Sequence, residues 1–157
     1  MTLEELRALV AGAAFHKLVK VEVVSADPSG RVTLGLPFDP AYAIRADIGN
    51  YHGGVVASLV DIAGAMACTV VKGSPTPTAN MRIDFLKTPV RCDLFADGEA
   101  RRVGRQFAVA DVTVRDREGT VFAIGRGTFV TANPTIGARV LGKEPGTEGV
   151  SRRSADQ

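Results

Sequence analysis

The stretch His52-Gly53-Gly54-Val55-Val56-Ala57-Ser58-Leu59-Val60-Asp61 decides the fold, because it opens an apolar segment in which Asp61 is the only charged residue before Lys72. From Gly53 to Val71 every other residue is small or apolar, apart from the hydroxyls of Ser58 and Thr69. The breaker cluster Gly73-Ser74-Pro75-Thr76-Pro77 closes it. A segment of this length between glycines and prolines reads as one buried helix. Burying a lone carboxylate costs several kcal/mol unless it is paired or hydrogen-bonded. Asp61 is therefore either a functional group or a structural carboxylate that caps a loop or pairs with an arginine.

Gly53 and Gly54 sharpen that choice. A glycine pair at a helix start exposes backbone N–H groups at the positive end of the helix dipole, where a developing oxyanion is stabilised. The plainer reading of the pair is a tight turn. Gly54 and Asp61 share nearly one face of the helix, yet stand roughly 10 Å apart along its axis at ~1.5 Å per residue. A reacting atom must lie about 3 Å from both donor and base. One helix cannot provide both, so the pattern implies a dimer whose active site lies at the interface.

Composition narrows the class. The chain has 157 residues, 45% apolar and 23% charged, which suits one domain with a core of its own. A net charge of +2 gives no bulk electrostatic case for nucleic acid. Cys68 and Cys92 supply neither a disulfide framework nor zinc spacing, and with only His16 and His52 no metal is expected. Glu4 and Glu5 argue against a signal peptide. Asp61 and the small residues around it argue against a membrane span. The expected location is cytoplasmic.

Outside the helix, Thr2-Leu3-Glu4-Glu5 is a capping-box pattern that starts a short N-terminal helix. Val19, Val21 and Val23 alternate with charges, Asp27-Pro28-Ser29-Gly30 turns, and Val32, Leu34 and Leu36 alternate again as a hairpin. Met81, Ile83 and Phe85 mark another strand. Two more bracket Arg102-Val103-Gly104-Arg105, and the last runs from about Thr120 to Thr131, after a turn at Asp116-Arg117-Glu118-Gly119. Short connections imply antiparallel pairing. The expected fold is α+β, an antiparallel sheet wrapped around one long central helix, with a domain over residues 1–133 and a disordered tail over 134–157.

These motifs resemble the hotdog-fold acyl-CoA thioesterases of the phenylacetate-pathway (PaaI) type. The matching residues are His52-Gly53-Gly54-Val55, Leu59-Val60-Asp61, Met81-Arg82-Ile83-Asp84-Phe85-Leu86 and Gly125-Arg126-Gly127-Thr128-Phe129. The resemblance implies that the Gly53 N–H polarises the thioester carbonyl. It also implies that Asp61 of the facing subunit acts as general base or nucleophile, that Thr78 helps position water, and that His52 supports the loop. Gly54, Asn50 and Asn80 are expected substrate contacts. Where the family often has an upstream Asn or Gln, this chain has Ala46, with Asn50 nearer the motif.

Arg101, Arg102 and Arg105 cluster around Gly104 and are candidates for the coenzyme phosphates; a solvated edge is the alternative. No separate cofactor is implied, since CoA is part of the substrate. A homodimer or a dimer-of-dimers tetramer is expected. The chain contains no G-x-S-x-G elbow. A thiolate leaves readily, so a polarised carbonyl and one carboxylate suffice. The alternatives are a non-catalytic acyl-CoA-binding protein, or a hotdog hydratase or dehydratase acting on acyl thioesters.

Overall fold

The computed structural model describes residues 1–132, and the tail expected over 134–157 lies outside the described residues. In chain order the elements are α1 (Leu3–Gly12), α2 (Ala14–Leu18), β1 (Glu22–Asp27), β2 (Arg31–Leu36), a 3-10 turn (Pro40–Tyr42), β3 (Ala43–Arg45) and β4 (Asn50–Tyr51). Then follow α3 (Gly53–Lys72), β5 (Thr78–Phe85), β6 (Leu94–Val103), β7 (Phe107–Arg115) and β8 (Val121–Val130). Six strands form one sheet in the order β1-β2-β6-β7-β8-β5, every neighbouring pair antiparallel. The expected α+β layer, a sheet wrapped around one long helix, is the architecture observed.

Helix α3 lies across the inner face of that sheet. Its 18-residue window of mean hydropathy 2.0 would suit a membrane span by length and composition, but 61% of it is buried within the protein. Close approach depends on what the strands lack. A Cβ on Gly98 would sit 2.6 Å from the Ala63 carbonyl oxygen, and one on Gly125 would sit 2.6 Å from Val60 Cγ1. Ala96, Ala108, Ala110 and Ala123 are fully buried around them, so small residues carve the groove in which the helix rests. The Gly-Arg-Gly-Thr-Phe run in β8 thus has a packing explanation: Gly125 receives the helix, and Phe129 is buried. Helix α3 ends at Gly73, whose left-handed backbone (φ 77°) lets its N–H reach the Thr69 carbonyl.

The outer face is charged and internally paired. Arg31, Glu99, Asp111, Arg126 and Arg82 stand in register across β2, β6, β7, β8 and β5. Asp111 accepts from Arg126 Nε at 2.5 Å and from Arg101 Nε at 2.8 Å, and these arginines hold its carboxyl below the usual carboxylate range.

Three local features depart from the sequence reading. The first strand begins at Glu22, because Val19 caps α2 and Lys20 turns the chain at φ 50°; Val19 and Val21 are still buried. The helix α2 and the hairpin β3–β4 were not expected. Elements of two to five residues are too short to show a hydrophobic period.

The two edges of the sheet differ. At one, β1 carries a bulge between Val23 and Ser25 and has α1 packed beside it. At the other, β5 is solvent-exposed over most of its eight residues.

Candidate active site

The site is built at the two ends of β5. At the Phe85 end lies the start of α3. The His52 N–H donates to the Tyr42 carbonyl at 2.8 Å, fixing where the helix begins. His52 is the N-cap residue, and its Nδ1 accepts from the Gly54 N–H at 2.9 Å. An accepting Nδ1 places the ring proton on Nε2. The glycine pair therefore does not offer two free donors: the Gly54 N–H is engaged by its own cap. The Gly53 N–H has no partner among the described residues. Behind this loop, Tyr51 packs edge-on against Phe38 at 5.6 Å and donates its hydroxyl to the Cys92 carbonyl at 2.8 Å. Burial pushes the Tyr51 phenol up, so it remains a neutral strut.

A cleft of about 330 Å³ opens beside Gly53, lined by residues that include Ile44, Asn50, Phe85, Leu86, Lys87 and Pro89. The Phe85 ring lies 3.7 Å from where a Gly53 Cβ would be. Phe85 and Leu86 are 56% and 58% exposed, large for apolar residues beside a site. The sequence reading took Phe85 as an alternating strand residue and part of a family motif, not as a site residue. Its signal was the adjacent pair Phe85-Leu86, which breaks the alternation just where the strand ends.

At the other end, Thr78 Oγ1 donates to Asp61 Oδ1 at 2.5 Å. A β-bulge makes this contact. The register steps from Asn80↔Thr128 directly to Thr78↔Phe129, so Ala79 is the extra residue. Phe129 points into the core, and Thr78 is thereby turned to the helix side of the sheet; in an unbroken pleat it would face outward. Asp61 is half-buried, which corrects the expectation of a sealed carboxylate. Among the described residues it enters no ion pair, so the arginine-paired structural reading has no partner here.

The remaining candidates divide. Asn50 shares the cleft with Gly53. Asn80 lies on the outer face of β5, on the sheet's opposite side from Asp61. Gly104 sits in the β6–β7 turn, where its N–H donates to the Phe107 carbonyl at 2.9 Å and its carbonyl accepts from Thr131 Oγ1 at 2.7 Å. Arg102 and Arg105 flank it, exposed and without ion pairs among the described residues. Arg101 leaves that cluster. Two residues beyond Glu99, it lies on the outer face, where it pairs with Glu99 at 3.0 Å and Asp111 at 2.8 Å. The turn itself is tied toward Thr78: Thr131 N–H donates to the Gln106 carbonyl at 2.9 Å, and Val130 N–H to Pro77 at 2.7 Å.

Known proteins share this fold. The thioesterase-superfamily profile matches residues 48–123, a span holding Asn50, His52, Gly53, Asp61 and Thr78. A solved thioesterase-superfamily protein is 31% identical, with a TM-score of 0.77 over 82% of this chain and 96% of its own. The Escherichia coli PaaI protein of the phenylacetic acid degradation operon has the same fold at 24% identity, with a TM-score of 0.73 over 81% of this chain and 90% of its own. A candidate esterase of Halobacterium salinarum is 36% identical over 91 residues, which is 52% of this chain and 60% of that protein. The chain therefore spans less than two thirds of the length of that relative. With the helix-wrapping sheet, the capped His-Gly-Gly start and a homologue matched over nearly its whole length, the chain belongs to the thioesterase superfamily.

Proposed function

We propose that the protein hydrolyses acyl-CoA thioesters to a free acid and CoA, in a site shared between two subunits. The observation that carries this reading is the Thr78–Asp61 hydrogen bond at 2.5 Å, which orients a half-buried carboxylate outside any ion pair. The Gly53 N–H polarises the carbonyl. Asp61 takes a proton from water as the water oxygen bonds to the carbonyl carbon, or attacks that carbon itself. The C–S bond breaks, and the thiolate departs or is protonated; on the nucleophilic route water then hydrolyses the acyl–Asp61 anhydride, releasing the acid and restoring the carboxylate. Thr78, having donated its proton to Asp61, keeps lone pairs that hold the water.

Gly53 and Asp61 of one chain stand roughly 12 Å apart along the helix, at ~1.5 Å per residue, too far to share a carbonyl. The exposed edge of β5 supports a remedy. Strand β5 runs from Thr78, beside Asp61, to Phe85, beside Gly53. Pairing it antiparallel with a second copy, about a two-fold axis between Met81 and Arg82, sets each Thr78 opposite the other copy's Phe85. Gly53 of one subunit then faces Asp61 of the other, and the Arg102–Arg105 turn comes near the same site to meet the coenzyme phosphates. The assembly is a homodimer or a dimer of dimers.

The test is thiol release over a panel of acyl-CoAs, with light scattering on the same sample. Turnover by a dimer or tetramer is expected. Binding without thiol release, or turnover by a monomer, overturns the proposal.

A further inference from the structure

The loop that leads from α3 to Thr78 is fastened by two hydroxyls that the mechanism above does not use. Thr76 and Thr69 are 3% and 0% exposed. Thr76 Oγ1 donates to the Ala65 carbonyl at 3.0 Å and lies 3.1 Å from Thr69 Oγ1. A hydroxyl has a single proton to give. That of Thr76 goes to Ala65, so Thr69 is the donor to Thr76, and both protons have fixed places. The Ala65 carbonyl can accept it, since the helix ladder uses only one of its lone pairs. Burying two hydroxyls carries a desolvation cost that valines of the same shape would avoid, and the bonds formed do little more than offset it. Packing alone leaves the pair of threonines unexplained.

Their place in the loop supplies the explanation. Pro75 and Pro77 lack an N–H, and among the described residues only the Gly73 cap and the Thr76 hydroxyl tie the loop to the helix. The residue before a proline is held extended, so Thr76 and Thr78, two apart around Pro77, reach toward the same side. Two extended residues span about 6.6 Å at ~3.3 Å each, and the four helical steps from Asp61 to Ala65 span about 6 Å at ~1.5 Å each. The lengths match. Thr76–Ala65 and Thr78–Asp61 are therefore parallel rungs between one stretch of chain and one face of α3. We propose that Thr76 is a positioning residue for the reaction: its hydroxyl, oriented by Thr69, holds the chain at the height where Thr78 meets Asp61. This rests on the thioesterase reading above. From the other side, the Val130 N–H holds the Pro77 carbonyl at 2.7 Å, so the stretch is gripped by both helix and sheet. Thr76 acts only through Thr78.

The test is steady-state hydrolysis of one acyl-CoA, with the folded fraction of each variant measured alongside. Thr76→Val keeps the branched shape and removes the hydroxyl. It should lower kcat by about 10–10²-fold, the range for a reacting group displaced by up to ~1 Å, and leave KM within about two-fold. Thr76→Ser, which restores the hydroxyl, should recover most of that loss. In a Thr78→Val background, Thr76→Val should change kcat by less than about two-fold, because the contact it serves is already gone. If Thr76→Val fails to fold, Thr69→Val removes only the orienting donor and should show the same dependence on Thr78. An unchanged kcat per folded molecule in Thr76→Val, or an equal loss with and without the Thr78 hydroxyl, overturns the inference and leaves thioester hydrolysis intact. An unaltered protein that turns over no thioester defeats the functional reading, and this inference with it.

Discussion

The two edges of the sheet carry opposite instructions. Strand β1 is six residues long, bulged between Val23 and Ser25, and packed against α1. Strand β5 is eight residues long, and its one bulge lies at its first turn of pleat, leaving a regular run from Asn80 to Phe85. Bulges and covering helices are how natural sheets blunt an edge against pairing. The contrast teaches that one edge is closed and the other kept available, and it is the available edge that carries Thr78.

The same lesion at each edge tests that contrast most severely. Met81→Lys, beside the suggested two-fold axis, should give a folded monomer with turnover lost to background. Val24→Lys, at a residue 49% exposed on β1, should change neither assembly nor activity. Light scattering and thiol release read both. A Met81→Lys dimer of normal activity would place the partner elsewhere.

Two point variants then divide the proposed shared site. Asp61→Asn should reduce turnover at least ~10²-fold, the lower range for losing a positioned acid–base group. Gly53→Pro removes an N–H at the first helical position, where proline is well tolerated, and should cost about 10²–10³-fold, as for other oxyanion donors. Mixing the two inactive proteins under conditions of subunit exchange should restore about a quarter of normal activity, since a mixed dimer holds one intact site of two. Mixtures that stay inactive would put Gly53 and Asp61 in the same chain's site.

Smaller effects concern the scaffold between the edges. Gly98→Val sets a side chain against the Ala63 carbonyl, 2.6 Å from the new Cβ, and should destabilise by about 1–3 kcal/mol in denaturant unfolding. Smallest is Asp111 on the outer face. Its carboxyl is depressed by Arg126 and then by Arg101, so its contribution is present above the ordinary aspartate value of about 3.9 and fades as pH falls through the depressed value. Asp111→Asn should flatten the acid limb of a melting-temperature profile below about pH 4 and alter turnover little. An unchanged acid limb would remove Asp111 from the stability balance.

The fold was legible because α3 is apolar all round and the strands alternate; both periods survive in the sequence without tertiary help. That one helix cannot bring its glycine start and Asp61 to the same carbonyl was legible from spacing alone. What was hidden came from register. Arg101 was grouped with Arg102 and Arg105, and only the register that sets Glu99 opposite Asp111 shows it engaged on the outer face. The Gly54 N–H looked free until the His52 ring was seen to occupy it. The cleft was hidden for another reason: Ile44, Asn50 and Lys87 are remote from one another in sequence and meet only when β4 and the end of β5 close on the helix start.

The bulge at Ala79 has one further consequence. A pleated strand has a parity, and every residue belongs to one side or the other. Ala79 is a phase shift: it reverses parity for what precedes it and leaves all that follows, from Asn80 to Phe85, in its pairing with β8. Straightening the bulge, so that Ala79 itself took Phe129 as its partner, would preserve those pairings and change no residue, yet point the hydroxyl of Thr78 to the far side of the sheet from Asp61. The fold and the Thr78–Asp61 contact are thus separable by local register alone, and a relative can keep every motif in its alignment while its threonine faces the wrong way.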